Sequence, residues 1–345
     1  MTLISEIHEQ ADVLENLLVN QAAQIESIGR AILKADPQFV FLAARGTSDN
    51  AGRYANYVWG SMNRLPVALA TPSLFSLYQK PPSLKGALVV GISQSGQSPD
   101  IVSVLEEGRK QGSPTLAITN EPDSPLAQTA DWVIDIQAGV EAAVAATKTY
   151  TAELMAIAML SSAMLNDPEA SYPLAQVPGW VSQVLARAEH IAHLAERYRY
   201  MERCVVLGRG FNYATAFEWS LKLKELTYVT AEPYSSADFQ HGPIAIIETG
   251  FPVMVVNPAG KIYDNFLPLL RQLREKQNAE LVMISDQAGA LALAQSPMPL
   301  PAGIPEWLTP LVAIVPAQLF THALTRIKGW NTEAPRSIHK VTETH

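Results

Sequence analysis

ALVVGISQSGQSPDIVSVLEEG, residues 87–108, joins a strand pattern to a helix pattern through a polar loop. Its first seven residues are mostly apolar and rich in valine, which is typical of a buried strand. From Ile101 onward, apolar residues recur at helical spacing with charged residues on the other side. Ser98 fits an N-cap, Pro99 the first helical position and Asp100 the positive end of the helix dipole. This succession predicts one unit of a parallel α/β sheet.

The loop at residues 93–98 is expected to lie between the carboxyl end of a strand and the amino end of a helix. Backbone N–H groups and the helix dipole favour an anion at such a place. The side chains of Ser93, Gln94, Ser95 and Ser98 would add donors around a phosphate. A plain polar turn with a well-capped helix explains the same residues, so this loop alone leaves both interpretations open.

An internal repeat organises the chain. FVFLAARG (39–46) recurs as VVLGRG (205–210), with the final glycines 164 positions apart. The same offset aligns Gly96 with Gly260, so both copies contain a strand, an Arg-Gly turn and a helix, followed later by a second strand, a glycine turn and a helix. We therefore predict an α/β fold with two tandem domains, each a doubly wound parallel sheet flanked by helices.

The domain boundary is predicted from composition. Residues 165–180 are rich in proline and polar side chains, which is typical of a linker, and a helix near 181–200 would open the second copy. Residues 1–165 would then form an amino-terminal helix and the first domain. Residues 166–345 would form the linker, the second domain and a catalytic tail.

The two copies differ in the loop that follows their second strand. The first has a Ser-Gln-Ser run at 93–95, and the second has an Asn-Pro-Ala run at 257–259, which offers fewer donors. We expect that only the first copy binds phosphate.

Composition limits the class of protein. The chain has 345 residues and a net charge of −8, which argues for two domains and against nucleic acid or an anionic membrane surface as partners. The one cysteine, Cys204, lies in an apolar run and is expected to be a buried structural thiol. The amino terminus predicts an amphipathic helix rather than a signal peptide, and no apolar run is expected to span a membrane. We expect a soluble cytoplasmic protein.

Two further loops of the first copy carry candidate ligand contacts. Thr47 and Ser48 follow the first strand directly, where open α/β sheets bind their ligands, although Asp49 or Asn50 could serve there as a plain helix cap. The loop GVEAAVAATKTYTAE (139–153) places Thr147, Lys148 and Thr149 between a strand and a helix. Its lysine is open to two interpretations, a ligand contact or a solvated charge.

Candidate proton-transfer groups lie in the second copy. Glu218, Lys222 and Glu225 share one face of a predicted helix, and His241 follows in the segment SSADFQHGP. A carboxylate, an amine and an imidazole near a phosphate are suited to proton transfers on a sugar phosphate. A solvated ladder of ion pairs and a structural histidine are the alternatives.

Metal and nicotinamide chemistry are not expected. The seven histidines show no paired ligand spacing such as HExxH, and one cysteine cannot build a thiolate site. The segment GRGFNYA lacks the third glycine of a dinucleotide-binding turn. We predict no metal and no cofactor.

The motifs together resemble the tandem sugar isomerase (SIS) domains at the carboxyl end of glucosamine-6-phosphate synthase. The resemblance covers essentially the whole chain and is carried by six motifs in the same order: RGTSDNAG, SQSGQSPD, VAATKTYT, FEWSLKLKE, DFQHGP and EAPRSIHKVTET. It implies that the phosphate of a sugar is held by Ser48, Ser93, Gln94, Ser95 and Ser98.

The resemblance also implies catalytic roles. Glu225 would move a proton between C1 and C2, with Lys222 beside it, and His241 would open the sugar ring. Because the histidine reaches the site from the other subunit in this family, the resemblance implies a homodimer with a shared active site. Lys340 would approach the substrate carbonyl. Val144 and the main chain beside His339 match positions that contact the sugar.

Two departures from the synthase bear on the reaction. Only a helix precedes the first strand, so we expect no glutaminase domain and no use of glutamine as the ammonia donor. Ala146 stands where the synthase commonly has a serine. The resemblance then favours a stand-alone glucosamine-6-phosphate deaminase that releases ammonia and fructose 6-phosphate. The alternatives are a fructosamine-phosphate deglycase, a simple phosphosugar isomerase, and a sugar-phosphate sensor without catalysis.

Overall fold

Two parallel five-stranded sheets form the framework of the chain. The computed structural model describes residues 2–165 and 167–340. The first sheet contains β1 (Phe39–Ala43), β2 (Val67–Leu69), β3 (Ala87–Ile92), β4 (Thr115–Thr119) and β5 (Trp132–Asp135). The second contains β6 (Arg203–Gly208), β7 (Thr230–Ser235), β8 (Pro252–Val256), β9 (Glu280–Ser285) and β10 (Ser296–Pro299).

The two sheets have related topologies. The strand order is β2-β1-β3-β4-β5 in the first and β10-β9-β8-β6-β7 in the second, with every neighbouring pair parallel. Numbered within its own copy, each sheet runs 2-1-3-4-5, so the chain turns back between β1 and β3 and again between β6 and β8. The predicted α/β fold with two doubly wound sheets is confirmed.

Helices separate the strands and flank the sheets. The α-helices are α1 (Leu3–His8), α2 (Gln10–Ala35), α3 (Gly46–Met62), α4 (Ser73–Ser76), α5 (Pro99–Lys110), α6 (Pro125–Thr129), α7 (Lys148–Leu165), α8 (Val177–Leu185), α9 (Ala188–Ala195), α10 (Tyr213–Lys222), α11 (Ser236–Phe239), α12 (Tyr263–Arg271), α13 (Ala288–Leu291) and α14 (Thr309–Ile327). Short 3₁₀-helices and two π-helical turns, Leu223–Thr227 and Gln272–Lys276, complete the helical set among the residues described.

Contacts divide the described residues into two compact units. The first unit comprises Glu9–Ala142, Ala146–Gln176 and residues 339–340, and the second comprises residues 2–8, Ala143–Ala145 and Val177–Ile338. Neither unit is continuous in sequence, because a short segment at each end of the chain and one loop are exchanged between them. The boundary placed between residues 165 and 166 stays a prediction.

Each unit has its own core. In the first, the apolar faces of α4, α5 and α6 cover one side of the sheet, and α2, α3 and α7 lie on the other. In the second, α11, α12 and α13 cover one side, and α8, α9, α10 and α14 lie on the other. Cys204 on β6 is buried, as expected. Strands that are covered on both faces read as continuous apolar runs, which explains why ALVVGI gave a clear signal in the sequence.

Three sequence expectations need adjustment. The segment predicted as a linker forms a 3₁₀-helix, Pro168–Gln176, and the start of α8. The helix predicted near 181–200 is divided into α8 and α9. The helical stretch Glu306–Ile327 is long and apolar enough to cross a membrane, with a mean hydropathy of 1.4, contrary to expectation. That apolar window is completely buried inside the protein, which is typical of a core helix.

Candidate functional site

The polar loop after β3 forms a tight turn at the point where the first sheet changes direction. The N–H of Ser93 donates to the carbonyl of Ile118, and its hydroxyl accepts a hydrogen bond from the N–H of Gly96 at 3.1 Å. Gly96 has a φ of +61°, and a Cβ atom placed there would lie 2.0 Å from Oγ of Ser124. Only glycine fits this turn without displacing its neighbour.

Three side chains of this loop remain close to solvent. Gln94, Ser95 and Ser98 are half-buried, and α5 begins directly after them at Pro99. Ser98 occupies the predicted N-cap position, but its side chain makes no capping bond to the helix. The loop therefore presents hydroxyl and amide groups at a helix N-terminus, which is the arrangement that favours an anion.

An ion pair ties the two loops of this switch point together. The guanidinium group of Arg45, which follows β1, contacts Oδ2 of Asp100 through two nitrogens at 2.7 Å each. The Asp100 side chain is buried and also accepts a hydrogen bond from the N–H of Ile101. The loops after β1 and β3 are thus held in a fixed relation at the carboxyl edge of the sheet.

The first of these loops begins α3 earlier than its side chains suggested. The helix begins at Gly46, so Asp49 lies in its first turn and pairs with Arg53 rather than capping the helix. Thr47 is half-buried. Ser48 is buried and donates to Oε1 of Glu153 at 2.8 Å. In this arrangement the Ser48 proton faces a carboxylate, so the hydroxyl must rotate before it can donate to a phosphate.

The structure contradicts both interpretations of the lysine in the loop before α7. Lys148 is only 2% exposed and pairs with Oε2 of Glu9 at 2.6 Å. It is neither a solvated charge nor placed as a ligand contact, because a buried ammonium requires a partner and Glu9 provides one. Thr147 and Thr149 are buried as well, and both donate to the carboxylate of Glu141.

Glu141 was missed by the sequence analysis and holds a predicted catalytic residue. Nζ of Lys340 donates to Oε2 of Glu141 at 2.6 Å, and the lysine side chain remains 25% exposed. Burial alone would raise the pKa of Glu141, but Lys340 and the two threonines hold it below its ordinary value. The one available signal was an isolated acidic residue in a run of small apolar residues. His339 is exposed, and residues 341–344 of the predicted tail motif lie outside the described residues.

The second unit brings three of the predicted charged residues together. Nζ of Lys222 lies 2.6 Å from Oε2 of Glu225 and 3.4 Å from Oε1 of Glu218. Lys222 and Glu218 are completely buried, whereas the Glu225 side chain is 24% exposed. Glu225 lies in the π-helical turn Leu223–Thr227 at the end of α10, an irregularity that is common at functional sites.

The charge of Lys222 is stabilised by its partners. Burial would lower the pKa of Lys222, but the carboxylates of Glu218 and Glu225 raise it above the ordinary lysine value. A solvated ladder of ion pairs is therefore the wrong interpretation of this helix face. The group is instead a buried cation with one reachable carboxylate, which is suited to placing a base beside a substrate.

His241 lies on an exposed loop of the second unit. Its backbone N–H donates to the carbonyl of Asp238, and the short 3₁₀-helix Pro243–Ile246 follows it with no buried side chain. Within the described part of the chain, no hydrogen bond or ion pair joins His241 to Glu225. Val144 is half-buried, and the preceding Ala143 donates its N–H to the buried carboxylate of Glu6.

The loop of the second copy that corresponds to the polar loop carries its own acids. The N–H of Ala259 donates to Oδ1 of Asp286 at 2.7 Å, and the N–H of Lys261 donates to Oε2 of Glu306 at 2.9 Å. Two carboxylates therefore use amides that would otherwise attract an anion. Compared with the first copy, the loop at 257–259 thus has fewer side-chain donors, and two of the amides in and beside it are already bound by carboxylates of the protein.

Two doubly wound sheets, one with a donor-rich loop at its switch point, define a class of tandem α/β proteins that bind ligands at the carboxyl edge of a sheet. Within that class the chain belongs to the SIS-domain family. The SIS domain matches it twice, over residues 35–163 and 198–325. The comparison confirms the tandem repeat that the sequence indicated.

Comparison with known proteins shows which members of the family this chain is similar to. Glutamine–fructose-6-phosphate aminotransferase (isomerizing) of Gloeobacter violaceus is 31% identical over 98% of this chain and 58% of its own length. The carboxyl-terminal domain of glucosamine-fructose-6-phosphate aminotransferase from Francisella tularensis has a TM-score of 0.86 at 27% identity, over 96% of this chain and 98% of that domain. Glucosamine-6-phosphate deaminase from Thermotoga maritima shares the fold, with a TM-score of 0.80 at 20% identity and full coverage of both chains. The chain thus spans 58% of the length of the curated relative it matches.

Proposed function

We propose that this protein is a phosphosugar isomerase that deaminates an amino-sugar 6-phosphate, with glucosamine 6-phosphate as the substrate and fructose 6-phosphate and ammonia as the products. The observation that carries the proposal is the Lys222–Glu225 pair at 2.6 Å, with Glu225 on a π-helical turn, within a SIS-domain chain that has a donor-rich loop. The acidic chain is proposed to act in the cytoplasm without a cofactor.

Phosphate binding is assigned to the first copy. Backbone N–H groups at the start of α5 and the side chains of Gln94, Ser95 and Ser98 supply neutral donors around the anion, with Ser93 shaping the turn. Thr47 and Ser48, at the start of α3, border the same switch point. Neutral donors bind a phosphate dianion while leaving the overall charge of the protein acidic.

Proton transfer is assigned to Glu225. After ring opening, its carboxylate removes the proton from C2 of the open-chain amino aldose and returns a proton to C1, while the oxygen at C1 gains a proton and the amino nitrogen loses one, which gives a ketose imine. Water then adds to the imine carbon, and the C–N bond breaks to release ammonia and leave the C2 carbonyl of fructose 6-phosphate. Lys222 orients the carboxylate, and Lys340 is assigned to the substrate oxygen at C1.

Ring opening is assigned to His241 of a second copy in a homodimer. The support is its position on an exposed loop, together with the lack of a bond to Glu225 of the same chain in the residues described here. An imidazole at that place would donate a proton to the ring oxygen while the anomeric hydroxyl loses its own.

The direct test measures ammonia and fructose 6-phosphate released from glucosamine 6-phosphate by the purified protein. We expect equal amounts of both products, with kcat at least about a hundredfold lower in Glu225→Gln. Glu232→Gln is the matched control, because it makes the same change at an exposed position on β7.

Other outcomes would identify other activities. Release of an amino acid from a fructosamine phosphate, without turnover of glucosamine 6-phosphate, would establish a deglycase. Interconversion of glucose and fructose phosphates alone would establish a simple isomerase, and net synthesis of glucosamine 6-phosphate would reverse the direction. Protection against thermal unfolding by the sugar phosphate without any turnover would indicate a sensor.

A further inference from the structure

Glu141 is a completely buried carboxylate whose two oxygens have different partners. Oε1 accepts hydrogen bonds from the backbone of Thr147 at 2.8 Å and of Thr149 at 3.2 Å. Oε2 accepts from the hydroxyl of Thr149 at 2.8 Å and from Nζ of Lys340 at 2.6 Å. One oxygen thus organises the carboxylate's own loop, and the other reaches a residue 199 positions away in sequence.

The geometry leaves the lysine able to act on something else. An ammonium group carries three protons, and Glu141 accepts one of them. The Lys340 side chain keeps a quarter of its surface exposed, while the Glu141 side chain has none. The carboxylate is therefore a fixed anchor beneath a lysine that still faces outward.

We propose that Glu141 is the positioning residue for Lys340, holding the tail lysine in the orientation in which it contacts the substrate oxygen. The proposal rests on the proposed function for the role of Lys340, and Glu141 itself does not touch the substrate. Against the effect of burial, the positive charge of Lys340 and the hydrogen bonds from Lys340 and the loop hold the pKa of Glu141 below its ordinary value, so the carboxylate is charged at neutral pH and the contact is ionic.

A second lysine–carboxylate pair in the same unit provides a matched control. Glu9 binds Lys148 at the same distance of 2.6 Å, and among the residues described it makes no ion pair with Lys340. Glu9→Gln therefore weakens an equivalent ion pair without altering the anchor of the tail.

The kinetic test compares the wild type with Glu141→Gln, Lys340→Gln and the double variant on glucosamine 6-phosphate. We expect Glu141→Gln to lower kcat about ten- to a hundredfold with KM changed less than about threefold, since glutamine keeps the loop contacts but weakens the hold on the ammonium. The double variant should be no slower than Lys340→Gln, and Glu9→Gln should stay within about twofold of the wild type. Losses that multiply in the double variant, or a Glu141→Gln variant as active as the wild type, would overturn the proposal.

A second readout does not depend on turnover. Brief acetylation with acetic anhydride, followed by mass spectrometry of each lysine, reports how firmly Lys340 is held. Modification of Lys340 should be several-fold faster in Glu141→Gln than in the wild type, with the exposed Lys110 unchanged as an internal reference. Equal rates at Lys340 would refute the anchoring. Faster modification in a protein that fails to deaminate the sugar would uphold the anchor and reject the proposed reaction.

Discussion

Lys222 keeps its charge in the interior of the second unit because two carboxylates face it. Transfer of an isolated ammonium from water to such a place would be strongly unfavourable. The same contacts set the position of Glu225, so stability and the proposed chemistry depend on one side chain. The two roles can be separated by comparing substitutions at the two ends of the pair.

Lys222→Met should destabilise the protein by about 3–5 kcal/mol, because it removes the cation that faces the buried carboxylate of Glu218. Glu225→Gln should cost less, about 1–2 kcal/mol, since that side chain is partly exposed and Glu218 still faces the ammonium. The measurement is the free energy of unfolding in urea. Equal losses in the two variants would show that burial of the Lys222–Glu218 pair does not set the cost.

The contribution of Lys222 should also depend on pH in one direction. Its pKa is raised in the folded state, so its stabilising effect is complete below the ordinary lysine pKa of about 10.4 and is lost as pH rises through the raised value. The difference in unfolding free energy between wild type and Lys222→Met should be flat from about pH 6 to 9 and decrease above about pH 10. A difference that grows above about pH 10 would contradict the sign.

A substitution at Gly96 tests whether the shape of the polar loop after β3 matters for binding. Gly96→Ala must place a Cβ atom against Ser124, so we expect the loop to shift and the Kd for sugar phosphate to rise about tenfold. Gly112→Ala is the control, because that glycine also has a positive φ but has open space around it. Both variants should lose about 1 kcal/mol of stability from the positive φ, and Gly96→Ala should lose more because of its contact with Ser124, while only Gly96→Ala loses binding in a calorimetric titration.

The two switch-point loops occupy equivalent positions in their sheets, but they differ in whether their hydrogen-bond donors are already bound by the protein. The loop after β3 offers donors to solvent, whereas the loop after β8 gives its amides to Asp286 and Glu306. The sequence comparison found the missing side-chain donors but could not find these acids, because they lie 27 and 45 positions from the amides they bind.

Ser95→Ala should therefore raise KM strongly, by about tenfold, since it removes a hydroxyl from the loop that we propose as the phosphate site. Ala259→Ser should change KM less than about twofold, because one added hydroxyl cannot overcome two carboxylates at that site. Steady-state kinetics on the proposed substrate measure both. Equal effects of the two substitutions would contradict a division of labour between the copies.

Elements with a local signal were the easiest to predict. The strands, the Arg-Gly turns and the start of α5 follow from hydrophobic period and capping residues within a few positions. The π-helical turn around Glu225 had no such signal, since an ordinary helix would also have placed Glu218, Lys222 and Glu225 on one face. Only the structure distinguishes a buried cluster from a solvated one.

Across the whole molecule, the unpredicted features are those that join distant parts of the chain. Lys148 could not be interpreted correctly from its own loop, because its partner Glu9 lies 139 positions earlier. Glu141 gained significance only when Lys340 was found beside it. A single sequence carries the identity of such residues but not their pairing.

A shared active site makes a prediction that only the assembled molecule can meet. If His241 acts on the partner's substrate, mixing Glu225→Gln and His241→Ala chains should restore activity, because one site of each mixed dimer then contains both native residues. Random reassociation should return about a quarter of wild-type activity. The check is an assay before and after denaturation and refolding of the mixture, with each variant refolded alone as the control. Absence of recovery in verified mixed dimers would place the histidine in the same chain as its base.

The occupied loop of the second copy has a consequence for how the chain responds to its substrate. A chain with two copies of a binding domain would ordinarily bind two ligand molecules, and saturation could then proceed in two stages. In this chain the carboxylates of Asp286 and Glu306 already bind the backbone amides of the second loop. Each chain should consequently bind one phosphorylated molecule, at the loop after β3 that we propose as the phosphate site.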